Sequence, residues 1–234
     1  MVTWAAEFTA YSPPHLAVLA LFSAVTAGLL AAGPRLRGST ARDSLALALA
    51  WGNVLLGVSS TVIGLSPFSL HHSLPLQICD FAWAVVAWAL VTRRPLPTAL
   101  TYYWGLTLCV QALVQPTLTQ PFPQLEFFVF WGKHLVIVWG AVYLCLVLRH
   151  GPDWRGYRRA AAWTTVWLVV VLCLNALLGS NYGYVNRKPS EATVLDVLGP
   201  WPVYVVVEMA VVLVAWALIT LPWTGVPRRR GAPD

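Results

Sequence analysis

Five residues of this chain set reactive side chains in apolar surroundings: Cys79, Asp80, Lys133, His134 and Glu208. A thiolate is the nucleophilic form of cysteine, and a neighbouring imidazole can generate it. Cys79 is therefore a candidate nucleophile and His134 its candidate base. Asp80 or Glu208 is available to orient the imidazole, as the third member of a Cys-His-acid arrangement. Adjacent helical residues point about 100° apart, so Cys79 and Asp80 can line one cavity without aiming at one partner. Gln77, Asn175, Asn181 and Asn186 are candidate hydrogen-bond donors to an oxyanion. Lys133 is expected either to reach toward polar surface or to pair with Glu126, Asp80 or Glu208. The remaining cysteines, Cys109, Cys145 and Cys173, read as small packing residues. No CxxC and no Cys/His spacing typical of zinc is present, so neither a metal nor a cofactor is expected.

The elements that must position these groups are membrane helices. Of the 234 residues, 58% are hydrophobic and only 10% are charged, too few charges to cover the surface of a soluble globule. Seven continuous apolar runs approach the length of about 20 residues that a spanning helix needs. They lie at about 15–33, 44–64, 74–91, 97–114, 126–148, 160–179 and 200–221. Backbone polar groups must be satisfied inside lipid, and the runs are continuous rather than alternating, so an all-α architecture is expected, not a barrel. With no internal repeat or low-complexity segment, residues 1–234 read as one seven-helix transmembrane domain ending in a basic tail, 223–234. The first basic residue is Arg35, so no cleavable signal peptide is expected. Residues 1–14 read as an interfacial segment with Trp4, Phe8 and Tyr11 as anchors.

Charge sets the expected orientation. Of the 15 basic residues, twelve fall at one side: Arg35, Arg37 and Arg42; Arg93 and Arg94; Arg149, Arg155, Arg158 and Arg159; and Arg228, Arg229 and Arg230. Only Arg187 and Lys188 fall on the other side. The positive-inside rule then puts the N-terminus outside and the C-terminus in the cytoplasm, which demands an odd number of spans. The net charge of +6 is thereby read as topology rather than nucleic-acid binding, and the protein as a multi-pass protein of the plasma membrane. At 1.5 Å per residue, Cys79 and Asp80 fall about 8–9 Å below the outer hydrocarbon edge, Lys133 and His134 about 10–12 Å, and Glu208 about 12 Å. Three separate helices thus bring their ionisable residues to one level in the outer half of the bilayer, where a cavity is expected.

The segment 180–190, Ser-Asn-Tyr-Gly-Tyr-Val-Asn-Arg-Lys-Pro-Ser, breaks the apolar pattern on that same outer side. Asn181, Tyr182, Tyr184, Asn186, Arg187 and Lys188 are candidates for binding a polar or phosphate head group. Three segments carry a family resemblance: Leu-Pro-Leu-Gln-Ile-Cys-Asp at 74–80, Phe-Trp-Gly-Lys-His at 130–134 and Asn-Tyr-Gly-Tyr-Val-Asn-Arg-Lys-Pro at 181–189. Over nearly all seven runs the chain is similar to the YwaF-like family of bacterial integral membrane proteins. That resemblance extends to a eukaryotic membrane acyltransferase that places polyunsaturated acyl chains on ether phospholipids, and more distantly to the androgen-induced hydrolases of fatty-acid esters. It implies an acyl-carrying cysteine at Cys79 and a catalytic histidine at His134.

The leading expectation is a lipid-directed Cys-His acyltransferase or acyl-ester hydrolase acting through a thioester on a phospholipid or fatty-acyl ester. The alternative is a transporter or lipid-binding protein in which Asp80, Lys133, His134 and Glu208 bind the cargo or relay protons.

Overall fold

The computed structural model describes residues 7–189 and 193–224. Trp4, Ser190, the arginines at 228–230 and most of the basic tail at 223–234 lie outside them. Among the described residues there are seven helical rods and no strand. They are α1 (Pro13–Arg37), α2 (Ala41–Gly64), α3 (Ile78–Thr92), α4 (95–114), α5 (Leu125–Val147), α6 (Trp154–Leu178) and α7 (Val203–Thr224). Five of these, α1, α2, α5, α6 and α7, are long and apolar enough to cross a membrane. Their outward faces carry Leu55, Leu177 and Val206, which are 68%, 81% and 68% exposed. Apolar surface of this extent needs an apolar solvent, as in a multi-pass membrane protein.

Two of the expected runs differ from simple helices. The third was expected over 74–91, but α3 begins only at Ile78. Pro75 lacks a donor, and the chain around it is held in a non-helical course by other elements: the Leu74 N–H donates to the Tyr182 hydroxyl (2.9 Å) and Trp167 Nε1 donates to the Leu76 carbonyl (3.0 Å). Cys79 and Asp80 consequently lie in the first turn of α3, not a turn and a half inside a helix. The fourth run is helical from Pro95, but Thr101–Leu108 is wound as a π-helix between the α-helical pieces Pro95–Leu100 and Cys109–Val114. A second π segment, Val142–Val147, ends α5.

The rod α5 is the centre of the bundle. In it 72% of the most apolar window is buried, against 11–22% in the other four long helices. It is packed by α1, α2, α3 and α4, while α6 packs on α4 and α7 on α6. Without a hydrophobic drive between helices in lipid, close backbone approach and interhelical hydrogen bonds hold such contacts. Both are present. A Cβ on Gly105 would sit 2.6 Å from the Ala141 Cβ, so the π segment of α4 can lie against α5 only because residue 105 is glycine. Asn53 Nδ2 ties α2 to α5 by donating to the Val136 carbonyl (3.0 Å). Along α4, Trp104 Nε1 donates to Thr164 Oγ1 of α6 (2.8 Å), and Thr107 Oγ1 accepts from Trp216 Nε1 of α7 (3.0 Å). These bonds set α6 and α7 beside α4 and leave a space between them and α3.

At one end of the bundle the loops gather arginines. Asp43 pairs with Arg42 (3.2 Å) and with Arg93, joining the start of α2 to the end of α3, and Arg37 donates to the Val147 carbonyl (2.9 Å). At the other end lie the segments 65–77, 115–124, 179–189 and 193–202.

Candidate active site at the open end of the bundle

The first turn of α3 assembles the reactive group. Gln77 precedes the helix in an extended conformation, and its N–H donates to Asp80 Oδ2 (3.0 Å). This bond satisfies a donor that a helix start would otherwise leave unpaired. The other carboxylate oxygen, Asp80 Oδ1, accepts from Lys133 Nζ at 3.1 Å across the α3–α5 contact. The same ammonium lies 3.8 Å from Cys79 Sγ, and the thiol lies 3.9 Å from Asp80 Oδ1. Of the partners open to Lys133 in sequence, Asp80 is the one it takes, with the Lys133 and Asp80 side chains 7% and 18% exposed. A charge buried this deeply requires such a partner.

His134 follows Lys133 on α5 and is buried, with its ring 4.5 Å from the Phe130 ring. Its Nδ1 is 2.8 Å from the Phe130 carbonyl. A carbonyl only accepts, so Nδ1 carries the proton and the neutral imidazole keeps its lone pair on Nε2. Neither Asp80 nor Glu208 orients the ring, contrary to the sequence expectation. Asp80 is committed to Lys133 and Gln77, and the backbone of α5 does the orienting instead. No hydrogen bond joins Cys79 to His134; the thiol's immediate neighbours are Lys133 and Asp80.

Cys79, Asp80, Lys133, His134, Gln77 and Glu208 nevertheless line one cavity of about 440 Å³, which lies among α2, α3, α4, α5, α6 and α7. That is the size of a ligand pocket. Glu208 reaches it from α7, and its carboxylate has no hydrogen-bond or ion-pair partner among the described residues. Cys109, Thr164, His72 and Tyr184 also line the cavity. Thr164 and His72 were not singled out from the sequence; for His72 the adjacent pair His71-His72, just ahead of the Leu-Pro-Leu-Gln-Ile-Cys-Asp motif, was the available signal. Among the described residues no group of three His, Cys, Asp or Glu side chains comes together to hold a metal ion.

The asparagines expected to serve an oxyanion are instead occupied with architecture. Gly179 closes α6 in a left-handed conformation, and buried Asn175 then organises the turn beyond it. Its Oδ1 accepts from Ser180 Oγ and from the Tyr182 N–H (both 2.8 Å), and its Nδ2 donates to the Tyr182 carbonyl and to Asn186 Oδ1 (both 2.9 Å). Asn181 clamps the other end, donating to the Arg187 carbonyl and accepting from the Arg187 N–H (both 2.9 Å). Lys188 is drawn to Asp196 (3.6 Å) and lies over the Tyr204 ring. The Tyr182 hydroxyl donates to the Leu70 carbonyl (2.9 Å), and burial raises this phenol above its ordinary range, keeping it a neutral donor. The turn meets the site at Gly183, whose N–H donates to Gln77 Oε1 (2.8 Å).

Gly183 has φ +69°, and a Cβ there would lie 2.8 Å from Trp167 Cη2. Gly183→Ala is therefore expected to cost about 1–3 kcal/mol, combining backbone strain with a displaced indole. Thermal unfolding in detergent checks this, and an unchanged Tm would contradict the packing described.

The TMEM164 family profile matches residues 10–220. The chain is also similar to an uncharacterized protein of Treponema pallidum (strain Nichols), 28% identical over 155 residues that make up 66% of this chain. The match spans 64% of that relative's length. No solved structure matches. Cys79, Asp80, Lys133, His134 and Glu208 all fall inside the region the profile covers, as do all the rods but the last turn of α7, and the chain belongs to the TMEM164 family.

Proposed function

We propose that the protein is an intramembrane lipid acyltransferase or acyl-ester hydrolase that works through a thioester on Cys79. The observation that carries this reading is the sharing of one cavity by a thiol, with an ammonium 3.8 Å away, and an imidazole whose Nε2 lone pair has no partner among the described residues. The resemblance to YwaF-like proteins and their eukaryotic acyltransferase relatives supports the same chemistry.

In the proposed cycle the acyl chain of the donor occupies the cavity and its ester carbonyl meets Cys79. The Sγ–C bond forms while the thiol proton goes to His134 Nε2. Catalytic hydrogen bonds are often long in the resting enzyme and tighten only with substrate bound. Negative charge on the carbonyl oxygen is met by the Lys133 ammonium and by the Ile78 and Cys79 amides at the start of α3, the Asp80 N–H being taken by Gln77. The C–O bond to the leaving alcohol then breaks, and His134 returns the proton to that alcohol. An acceptor hydroxyl, or water in the hydrolase, next attacks the thioester and gives its proton to His134. The C–S bond breaks and the proton is restored to the thiol. Asp80 keeps Lys133 in place throughout.

The seven rods are read as seven spans, with the arginine-bearing end in the cytoplasm and the cavity in the outer half of the plasma membrane. The test is acyl release from a labelled phospholipid in liposomes. Release is expected from the wild type and is lost in Cys79→Ala. Equal release from both contradicts the proposal, and label crossing the membrane unhydrolysed favours a transporter.

A further inference from the structure

A second cavity, of about 430 Å³, adjoins the first at the loop end of the bundle, and His72, Gln77 and Tyr184 line both. Its wall also includes His71, Asn181 and Arg187, and no carboxylate of the described residues lines it. The Arg187 side chain has no ion pair among the described residues. Its backbone, by contrast, is fixed on both sides by Asn181. Lys188, next in sequence, is committed to Asp196 and Tyr204, which leaves Arg187 as the cation facing this space. The rings of His71 and His72 lie 6.3 Å apart, and their nitrogens and the Tyr184 hydroxyl have no hydrogen-bond partner among the described residues.

We propose that this second cavity binds the phosphate group of an amphiphile whose acyl chain lies in the first. This deepens the acyl-transfer reading and rests on it for the placement of the chain. A guanidinium fork matches two phosphate oxygens, and imidazole and phenol donors can reach the others. Among the described residues no carboxylate of the wall competes with a phosphate for this cation. The three shared residues set the two cavities side by side, and in the proposed pose one molecule fills both, with its ester bond at the junction near Gln77 and Cys79.

The experiment measures binding rather than turnover. The full chain in a neutral detergent is titrated with a monoacylglycerol phosphate, with the monoacylglycerol of the same chain, and with glycerol phosphate as competitor. Arg187→Ala is expected to weaken the phosphate amphiphile about tenfold or more and to leave the neutral one unchanged. Arg187→Lys should retain part of the affinity. The Arg187 side chain is exposed and supports no other element, so both variants fold. Competition by glycerol phosphate identifies soluble phosphates as ligands of the anion site, and lack of competition identifies the lipid head group; either result supports the site. An unchanged affinity in Arg187→Ala, or an equal loss for the neutral amphiphile, overturns it. Because no turnover is read, failure of the Cys79 chemistry leaves a positive result standing. Unchanged phosphate affinity with intact acyl transfer removes the anion site alone.

Discussion

Substituting His134 by glutamine is expected to lower acyl transfer about 10²- to 10⁴-fold, the usual worth of a positioned general acid–base. Glutamine can still donate to the Phe130 carbonyl, as Nδ1 does at 2.8 Å, and can fill much of the buried space. The fold should therefore survive, and the loss should appear in kcat more than in KM. What glutamine cannot do is take up a proton and return it. A rate within a factor of a few of wild type would mean that another group carries the proton. Asp80 would then be the first to consider, since it already lies 3.9 Å from the thiol.

Removing the Lys133 ammonium should produce the largest loss of stability. Lys133→Met leaves the stem in place but strands the Asp80 carboxylate, which is 18% exposed, without its counter-ion. Breaking one side of a buried pair typically costs about 3–5 kcal/mol. The paired variant Lys133→Met with Asp80→Asn should recover most of that loss, because asparagine can still accept the Gln77 N–H that starts α3. Acyl transfer should not recover with it, since the charge beside Cys79 would be gone. Unfolding in detergent read alongside transfer rates separates the two. Recovery of both would reduce the pair to a structural role.

Part of this was open to inspection in the sequence. Scarce charge and long apolar runs announce membrane helices, because hydropathy is a property of composition and needs no partner. That Cys79, Asp80, Lys133, His134 and Glu208 line one cavity agrees with the shared depth expected from counting residues along their helices. Partner choice did not follow. Lys133 had three acids within plausible reach, and only the packing of α3 on α5 selects Asp80. The start of α3 was misplaced because Leu74, Pro75 and Leu76 are apolar whether or not they are helical; the bonds that hold them in a non-helical course come from Tyr182 and Trp167, about a hundred residues away. The asparagines of the 175–187 region looked like free donors for the same reason. Their partners are the carbonyls and amides of a turn whose shape the sequence does not display. Nor does any local pattern mark the π segment in α4, whose close approach to α5 depends on Gly105 meeting Ala141 of another helix.

The central claim is that Cys79 carries the acyl group. The most direct measurement is the mass of the Cys79-bearing peptide after brief mixing of the protein with an acyl-ester donor and quenching in acid. The account predicts an added acyl mass on Cys79, removable by neutral hydroxylamine as a thioester is, and absent in Cys79→Ala. Acyl transfer in the wild type with Cys79 unmodified at every time point, or with the acyl group on another residue, would contradict it.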